Sequence, residues 1–296
     1  MPNNRVFYAS HGVSVGGTTV QGAQSVAVNT NFNLEQVFQL GRLAIYDNIQ
    51  LDPDVEVTIS KALDGYPTIW ELATLGGSIV DNANDRCTVI LGVGDDTASS
   101  LTNVSAITMT GCFVSSVNYT IPVDGNMTEE VVLIGSHKDV TGSVSAPTAN
   151  PNAVVLRRQN LKTGSCVFPT EVSGKNISNI TISADFGREK MYRLGEFSPF
   201  HRFVNFPLEV TVSFDVIATS HDGVEIAEVH SACTGRTVTE ESISIELCDE
   251  SGTTAYTFDL GDKCQRSTVN YSGGDTGGGN ATITYTYITY NDLSIT

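Results

Sequence analysis

The chain of 296 residues is long enough for two cores of ordinary size, and its ordinary apolar content with few charged residues indicates a globular protein. Its net charge of −17 argues against ordinary affinity for nucleic acid, which needs Lys and Arg to neutralise phosphates. The sequence contains no run of about 20 apolar residues, so it predicts no membrane span, and no apolar signal-peptide core follows Met1.

Alternating apolar residues predict a strand at 25–29 and a similar strand, in the second half, at 177–184. Residues 34–40 then predict either one or two helical turns or an extended loop. This segment ends at Gly41, where glycine supplies a positive φ.

Long connections with aromatic side chains follow in both halves, at 42–48 and 196–203. The first carries Tyr46, and the second carries Phe197 and Phe200. Because a loop of this kind is retained twice, we expect it to contact a neighbouring molecule rather than serve only as a connector.

The clearest helix signal lies at 66–77, with a Pro near its start, Gly after its end and Trp70 predicted in the core. Its counterpart at 224–232 is weaker. Strands are predicted at 87–93 and 242–247, each ended by an acidic turn.

The last hairpin of each half has a polar tip, at 121–126 and at 272–280. The second tip is rich in glycine but lacks the Lys and the following helix of a phosphate-binding loop. Residues 141–152 contain Pro, Ala and Asn and are interpreted as a linker.

An internal repeat organises these elements, and the offset between its copies is nearly constant. Ser116 and Val117 match Thr268 and Val269 at an offset of 152, and Cys112 matches Cys264 at the same offset. A longer motif repeats at an offset of 154 (186 − 32 = 154): Phe32, Glu35, Phe38, Leu40 and Gly41 match Phe186, Glu189, Tyr192, Leu194 and Gly195. The repeat predicts an all-β protein with minor α. We expect two tandem β-sandwich or barrel domains, 1–140 and 153–296, each with a short flanking helix, joined by the linker 141–152.

Six cysteines are present, and none forms a C-x-x-C pair. This spacing argues against zinc and redox motifs and favours reduced, buried thiols. Six Asn-x-Ser/Thr sites keep a secreted protein open as an alternative.

Catalytic and metal-binding patterns are missing. No two of the five histidines lie at a metal-ligand spacing, and no nucleophile elbow, P-loop or dinucleotide fingerprint occurs. The acidic pairs Asp95–Asp96 and Asp249–Glu250 are expected to be solvated turn residues. We therefore predict no cofactor, no metal and no enzyme activity.

The repeated motif resembles the tail tube (major tail) proteins of tailed bacteriophages. Phe186, Arg188, Glu189, Tyr192 and Gly195, with the aromatic loop and the strand after Pro207, carry the closer match. The first copy departs from this pattern, because Leu34 stands at the Arg position and Phe38 at the Tyr position.

The resemblance implies that three copies form a pseudo-hexameric ring and that rings stack into a tube in the virion tail of a phage with a long non-contractile tail, made in the host cytoplasm. Other tail proteins (tape measure, terminator, distal tail or baseplate) would be partners, DNA would pass only transiently, and no membrane would be involved. An acidic lumen would repel phosphates and lower friction. Expected contacts between subunits or rings are Gly41, Arg42, Tyr46, Gly195, Phe197, Phe200, Arg202, Asp124 and Asp275.

Three alternatives remain open on the sequence. A distal tail or hub protein would carry two tube domains. A secreted or surface β-sandwich adhesin or receptor-binding protein would contain disulfides and glycans. An enzyme with a cryptic acidic site would depend on Asp95 or Asp249.

Overall fold

The computed structural model describes residues 11–94, 103–145, 147, 154–219, 240–273 and 279–296. Most of its elements are strands, which confirms the predicted all-β class with minor α. The strands are β1 (His11–Val15), β2 (Thr18–Thr19), β3 (Ala23–Asn31), β4 (Leu34–Phe38), β5 (Ile45–Gln50), β6 (Asp54–Ala62), β7 (Gly77–Ser78), β8 (Cys87–Gly94), β9 (Asn103–Pro122), β10 (Thr128–Gly135), β11 (His137–Asp139), β12 (Ile177–Asp185), β13 (Glu189–Met191), β14 (His201–Phe203), β15 (Glu209–Ile217), β16 (Ser244–Cys248), β17 (Thr254–Asp259), β18 (Gln265–Ser272), β19 (Thr282–Tyr290) and β20 (Ser294–Ile295). The helices are α1 (Ile69–Thr74) and α2 (Ile79–Asn82), and a 3-10 turn spans Arg158–Asn160.

Eight antiparallel strands form the main sheet, in the order β18-β19-β15-β12-β9-β10-β6-β3. Along each of its inner strands, buried apolar residues alternate with polar ones, as expected where one face of a sheet is covered. We call the uncovered side the open face.

Two smaller groups of strands cover the other face. One consists of β1, β2, β8, β11 and the first half of β9, and the other of β16, β17, β20 and β7. The ring of Tyr119 in the main sheet contacts Phe258 of β17 at 4.7 Å between centroids. Trp70 of α1 stacks on Phe186 at 5.5 Å, and buried residues from both halves of the chain form one continuous core.

Strand β9 belongs to both layers. Its first half pairs with β8 and its second half with β10 and β12, and Gly111 between them has a φ of +65°. Glycine adopts that angle readily, so the chain can turn from one sheet to the other without a break in the strand.

The strand registers repeat between the halves, down to their irregularities. Ala23 pairs with Lys61 and Ile177 with Val216, which are offsets of 177 − 23 = 154 and 216 − 61 = 155. A β-bulge follows each of these pairs, and β9–β10 and β18–β19 also share an equivalent bulge. The two four-stranded halves of the main sheet therefore have the same strand order and pairing. The domain boundaries at 140 and 153 stay a prediction.

Several local predictions can be compared with the structure. The helix at 66–77 is confirmed as α1, which Thr68 and Glu71 begin with a capping box, and Trp70 is fully buried. Of the two alternatives for 34–40, the helical one was wrong, because this segment is extended: it forms the strand β4, which pairs with β5 as a hairpin. The predicted helix at 224–232 lies outside the described residues.

Candidate assembly interface

The two halves of the main sheet meet where β9 pairs with β12. Seven residue pairs from Asn179↔Pro122 to Asp185↔Ser116 form this antiparallel contact. It joins an edge strand of the first four-stranded unit (β3, β6, β10 and β9) to an edge strand of the second (β12, β15, β19 and β18). We call this contact, together with the arm described next, the internal joint.

A hairpin of β13 and β14, residues 189–203, strengthens the internal joint, and we call it the second arm. Lys190 Nζ lies 2.7 Å from Asp54 Oδ1 and 3.5 Å from Asp52 Oδ2. Arg202 is 2% exposed and its Nη2 donates to Asp54 Oδ1 at 2.7 Å and to Ser136 Oγ at 2.7 Å. Two cations of the second half thus meet two acids of the first. Burial raises the pKa of Asp54, but hydrogen bonds from Lys190 and Arg202 outweigh that effect and lower it.

Arg188, just before β13, makes the other fixed contact of this joint. Its Nε donates to Val114 O at 2.8 Å, and its Nη2 donates to Ala83 O. Its guanidinium lies 5.2 Å from the ring centre of Phe113 and 5.3 Å from that of Phe186. Burial, and then the charge of Arg202, lower the pKa of Arg188 to about 10, so it remains a cation at neutral pH.

The equivalent hairpin in the first half, β4 and β5 with residues 34–50, is the first arm. Like the second arm it presents exposed apolar side chains, including Leu40 and Leu43 at its tip, which are fully exposed. The two arms differ in charge, because the first has no Lys or Arg at the positions of Arg188, Lys190 and Arg202. The other exposed apolar residues of this arm and its flanks are Phe32, Leu34, Phe38, Ile45, Tyr46, Ile49 and Leu51. Such a concentration on one projecting element is typical of an interaction surface.

The main sheet has two open edges. Among the described residues, β3 pairs only with β6, and β18 pairs only with β19. By the repeat, β3 is the equivalent of β12 and β18 is the equivalent of the second half of β9. The two open edges are therefore the repeat equivalents of the two strands, β12 and β9, that pair with each other inside the chain.

The open face is acidic and rich in hydroxyl groups. Thr284 and Asn179 hold the carboxylate of Asp215 at 2.6 and 3.2 Å, and Ser213 contacts Thr286 at 3.3 Å. The eight strands, all described, place no Lys or Arg on this face. At one end, Lys190 and Arg202 of the second arm pair with Asp54. The remaining charged residues of the face are Glu56, Glu130, Asp185, Glu209 and Asp215.

The predicted contact residues are distributed over both arms and one tip. Gly41 and Gly195 lie at the tips of the two arms, with φ of +85° and +88°, and Arg42 and Tyr46 are exposed on the first arm. Phe197 and Phe200 lie in the loop of the second arm, where Phe200 donates from its backbone to Met191. Asp124 is exposed at the β9–β10 tip, and Asp275 lies outside the described residues. Arg202 corrects our expectation of a contact between subunits, because it is buried inside the chain at the internal joint.

Sequence reasoning missed the basic residues as a group. Arg188 and Lys190 are two residues apart on an extended segment and so point to the same side. The available signal was the difference between the copies, because Leu34 and Gln36 stand at the equivalent positions (188 − 154 and 190 − 154) of the first.

The described part of the chain shows no disulfide, no cluster of His, Cys, Asp or Glu suited to a metal ion, and no helix long and apolar enough to cross a membrane. Burial raises the pKa of the Cys87 and Cys112 thiols, which face each other across β8 and β9, to about 12. A scan against protein-family models and a search of curated proteins found no match to the chain.

Proposed function

We propose that the chain is a structural subunit that joins copies of itself edge to edge into closed rings, and that these rings stack as the tail tube of a tailed bacteriophage. The observation that carries the proposal is the equivalence of the internal joint and the two open edges. A sheet whose free edges repeat a contact already made inside the chain can be extended by further copies.

The repeat gives this contact a register. Internally, Ser183 pairs with Asn118. Subtracting 154 from the first and adding 152 to the second places Asn29 of one copy opposite Asn270 of the next. The contact is heterologous, so it continues from copy to copy until the sheet closes. The number three comes from the resemblance to tail tube proteins.

The open face suits the inside of such a ring. A closed sheet has one covered and one inner face, and here the face without a covering layer carries carboxylates and hydroxyls. A surface of that charge repels phosphates, so DNA could pass without being held.

A pair of engineered cysteines tests the register. Asn29→Cys together with Asn270→Cys should give covalent chains of two or more copies under mild oxidation, seen on a non-reducing gel, because directly opposite Cβ atoms lie within reach of a disulfide. Asn29→Cys with Thr268→Cys, a diagonal pair, should cross-link far less, and wild type and the single variants control for native thiols.

Electron microscopy of the purified protein tests the assembly itself. We expect rings or tubes with a central channel. A protein that stays monomeric at high concentration and yields no cross-link through the Asn29 and Asn270 positions would disprove the proposed function.

A further inference from the structure

The internal joint and the open edges are equivalent in backbone but differ in side chains. Building on the proposed ring, we propose that this difference is a pairing code: the first arm docks only on the second half of another copy, through an apolar and largely uncharged contact. The partner is thus a second copy of this chain, held in one orientation.

We call the surface that receives an arm its acceptor. The acceptor of the second arm lies in the first half, and it requires cations. Asp52 is buried, its Oδ2 lies 3.7 Å from Arg202 and 3.5 Å from Lys190, and its Oδ1 has no hydrogen-bond partner. Asp54 receives both cations at 2.7 Å. An arm without cations in this position would leave two carboxylates in a closed contact without a counter-ion, held only by the hydrogen bonds from Ser136 to Asp52 and from Asn33 to Asp54. That arrangement is strongly unfavourable.

The first arm has no such cations. By the offset of 154, Arg188, Lys190 and Arg202 correspond to Leu34, Gln36 and Asn48 in the first arm. This arm therefore supplies no counter-ion to Asp52 and Asp54 of any copy. The wrong contact, between first halves of two molecules, is excluded by charge.

The acceptor in the second half has changed to match. Across the aligned Pro53 and Pro207, Asp52 corresponds to Phe206 (52 + 154), and Ser136 corresponds to Tyr290 (136 + 154). Both Phe206 and Tyr290 are about half exposed. They would be covered by the apolar side chains of an incoming first arm, which gives the contact its driving force.

The second arm is excluded from this acceptor by the same logic. Arg188, Lys190 and Arg202 would face Phe206 and one acid in place of two: Glu209, the equivalent of Asp54 by the register offset of 155 (54 + 155), which already accepts from the Tyr290 hydroxyl at 3.2 Å. Each arm thus fits one acceptor, and the halves must alternate around a ring.

Charge exchange tests the code. Leu34→Arg with Asn48→Arg places cations on the first arm, and Phe206→Asp places an acid on its acceptor. In sedimentation velocity at 50 mM NaCl, each change alone should weaken self-association by about thirtyfold or more, because it leaves at least one of the added charges without a partner in the contact. Val167→Asp, which changes an exposed apolar residue outside both joints, should have little effect, and circular dichroism checks that each variant is folded.

The combined variant is decisive. Phe206→Asp with Leu34→Arg and Asn48→Arg should recover most of the association at 50 mM NaCl and lose it at 500 mM, whereas the association of the wild type should not weaken with salt. If the wild type associates and cross-links through the engineered Asn29 and Asn270 positions, but the single changes leave association intact or the combination does not recover it, the code is wrong and the ring stands. If the wild type does not associate, both are wrong.

Discussion

Glu129 shows how one buried acid can be accommodated by several donors. It lies on the covered face of β10, fully buried, and accepts from the backbone N–H of Ile69 at 2.7 Å and of Trp70 at 3.2 Å, and from the Tyr119 hydroxyl at 2.8 Å. The first two donors belong to the first turn of α1, which has no other helical partner for them. Glu129 thus fixes the helix to the sheet.

The burial of Glu129 predicts a pH dependence of stability. Burial raises the pKa of its carboxyl group above the ordinary value of 4.5, and the hydrogen bonds only partly oppose this. The neutral form is therefore favoured in the folded state, so this contribution to stability is present at low pH and is lost as pH rises through the raised pKa. In urea unfolding between pH 4 and 8, the free energy of unfolding of the wild type should fall as pH rises, and Glu129→Gln should remove this fall.

The adjacent Glu130 is exposed on the open face and provides the control. Glu130→Gln should leave the pH profile of the wild type almost unchanged. The same profile in Glu129→Gln and the wild type would show that Glu129 does not titrate in this way.

Arg202 predicts a large loss of stability on substitution. Arg202→Met removes one of the two cations at Asp52 and Asp54 and leaves the buried Asp52 with Lys190 alone, at 3.5 Å. It should reduce the free energy of unfolding by about 3–5 kcal/mol. Arg193, which pairs with Glu196 at 3.2 Å on the surface, is the matched control. Arg193→Met should change the free energy of unfolding by less than about 1 kcal/mol. Equal effects of the two substitutions in chemical denaturation would contradict the role of Arg202 at the buried carboxylates.

At the scale of elements, the first arm explains why the helical alternative for 34–40 failed. That alternative took Asn33 as a helix N-cap and Gly41 as the end of the helix. Such end signals are local and do not record pairing between strands. Here residues 34–38 pair with β5 in a hairpin on which Leu34 and Phe38 are exposed. Gly41 and Gly195 were located correctly, because a tight turn requires a backbone angle that other residues avoid.

The second arm should be sensitive to its tip glycine. Gly195 has a φ of +88° and open space around it, so Gly195→Val is disfavoured by its backbone angle alone, by about 1–2 kcal/mol. Gly164 also has open space and no positive φ, and Gly164→Val is the control. Hydrogen exchange of the Met191 and Phe200 amides would report the opening of the arm, and equal protection in both variants would argue against strain at Gly195.

The tip of the first arm predicts a separation of ring formation from stacking. Leu40 and Leu43 are fully exposed and lie in the turn between β4 and β5. If they contact the next ring, Leu40→Ser with Leu43→Ser should leave single rings in electron micrographs and abolish long tubes. Leu75→Ser, which changes another exposed leucine, should leave tubes intact, and tubes of normal length in the double variant would rule out this contact.

For the whole molecule, the sequence indicated the repeat but not how its copies are joined. The constant offset between Phe32 and Phe186 follows from equivalent positions in equivalent strands, which any strand order would preserve. The pairing of Asp185 with Ser116 depends on contacts between distant parts of the chain, which local patterns do not record. The alternation of apolar and polar residues along the strands also does not show that the polar face of the main sheet has no covering layer.

The charge of the open face predicts how the assembled protein treats DNA. Glu56→Lys with Glu130→Lys reverses two exposed acids of that face. Gel-shift assays should show no binding by the wild type and weak binding by the variant, falling about tenfold between 50 and 200 mM NaCl. Glu250→Lys with Asp262→Lys changes the net charge equally at turns and should bind less, and equal binding would mean that the open face has no special part.

The tether across the internal joint has a kinetic consequence for the proposed ring. Because β9 and β12 belong to one polypeptide, their seam forms at a high effective concentration and needs no diffusional encounter. Three of the six seams would close in this way as each molecule folds. Of the other three, two need an encounter between molecules, and the last closes within the open trimer. Mechanical breakage would follow the same division, so fragments released from a damaged tube should consist of whole polypeptides and end at β3 and β18.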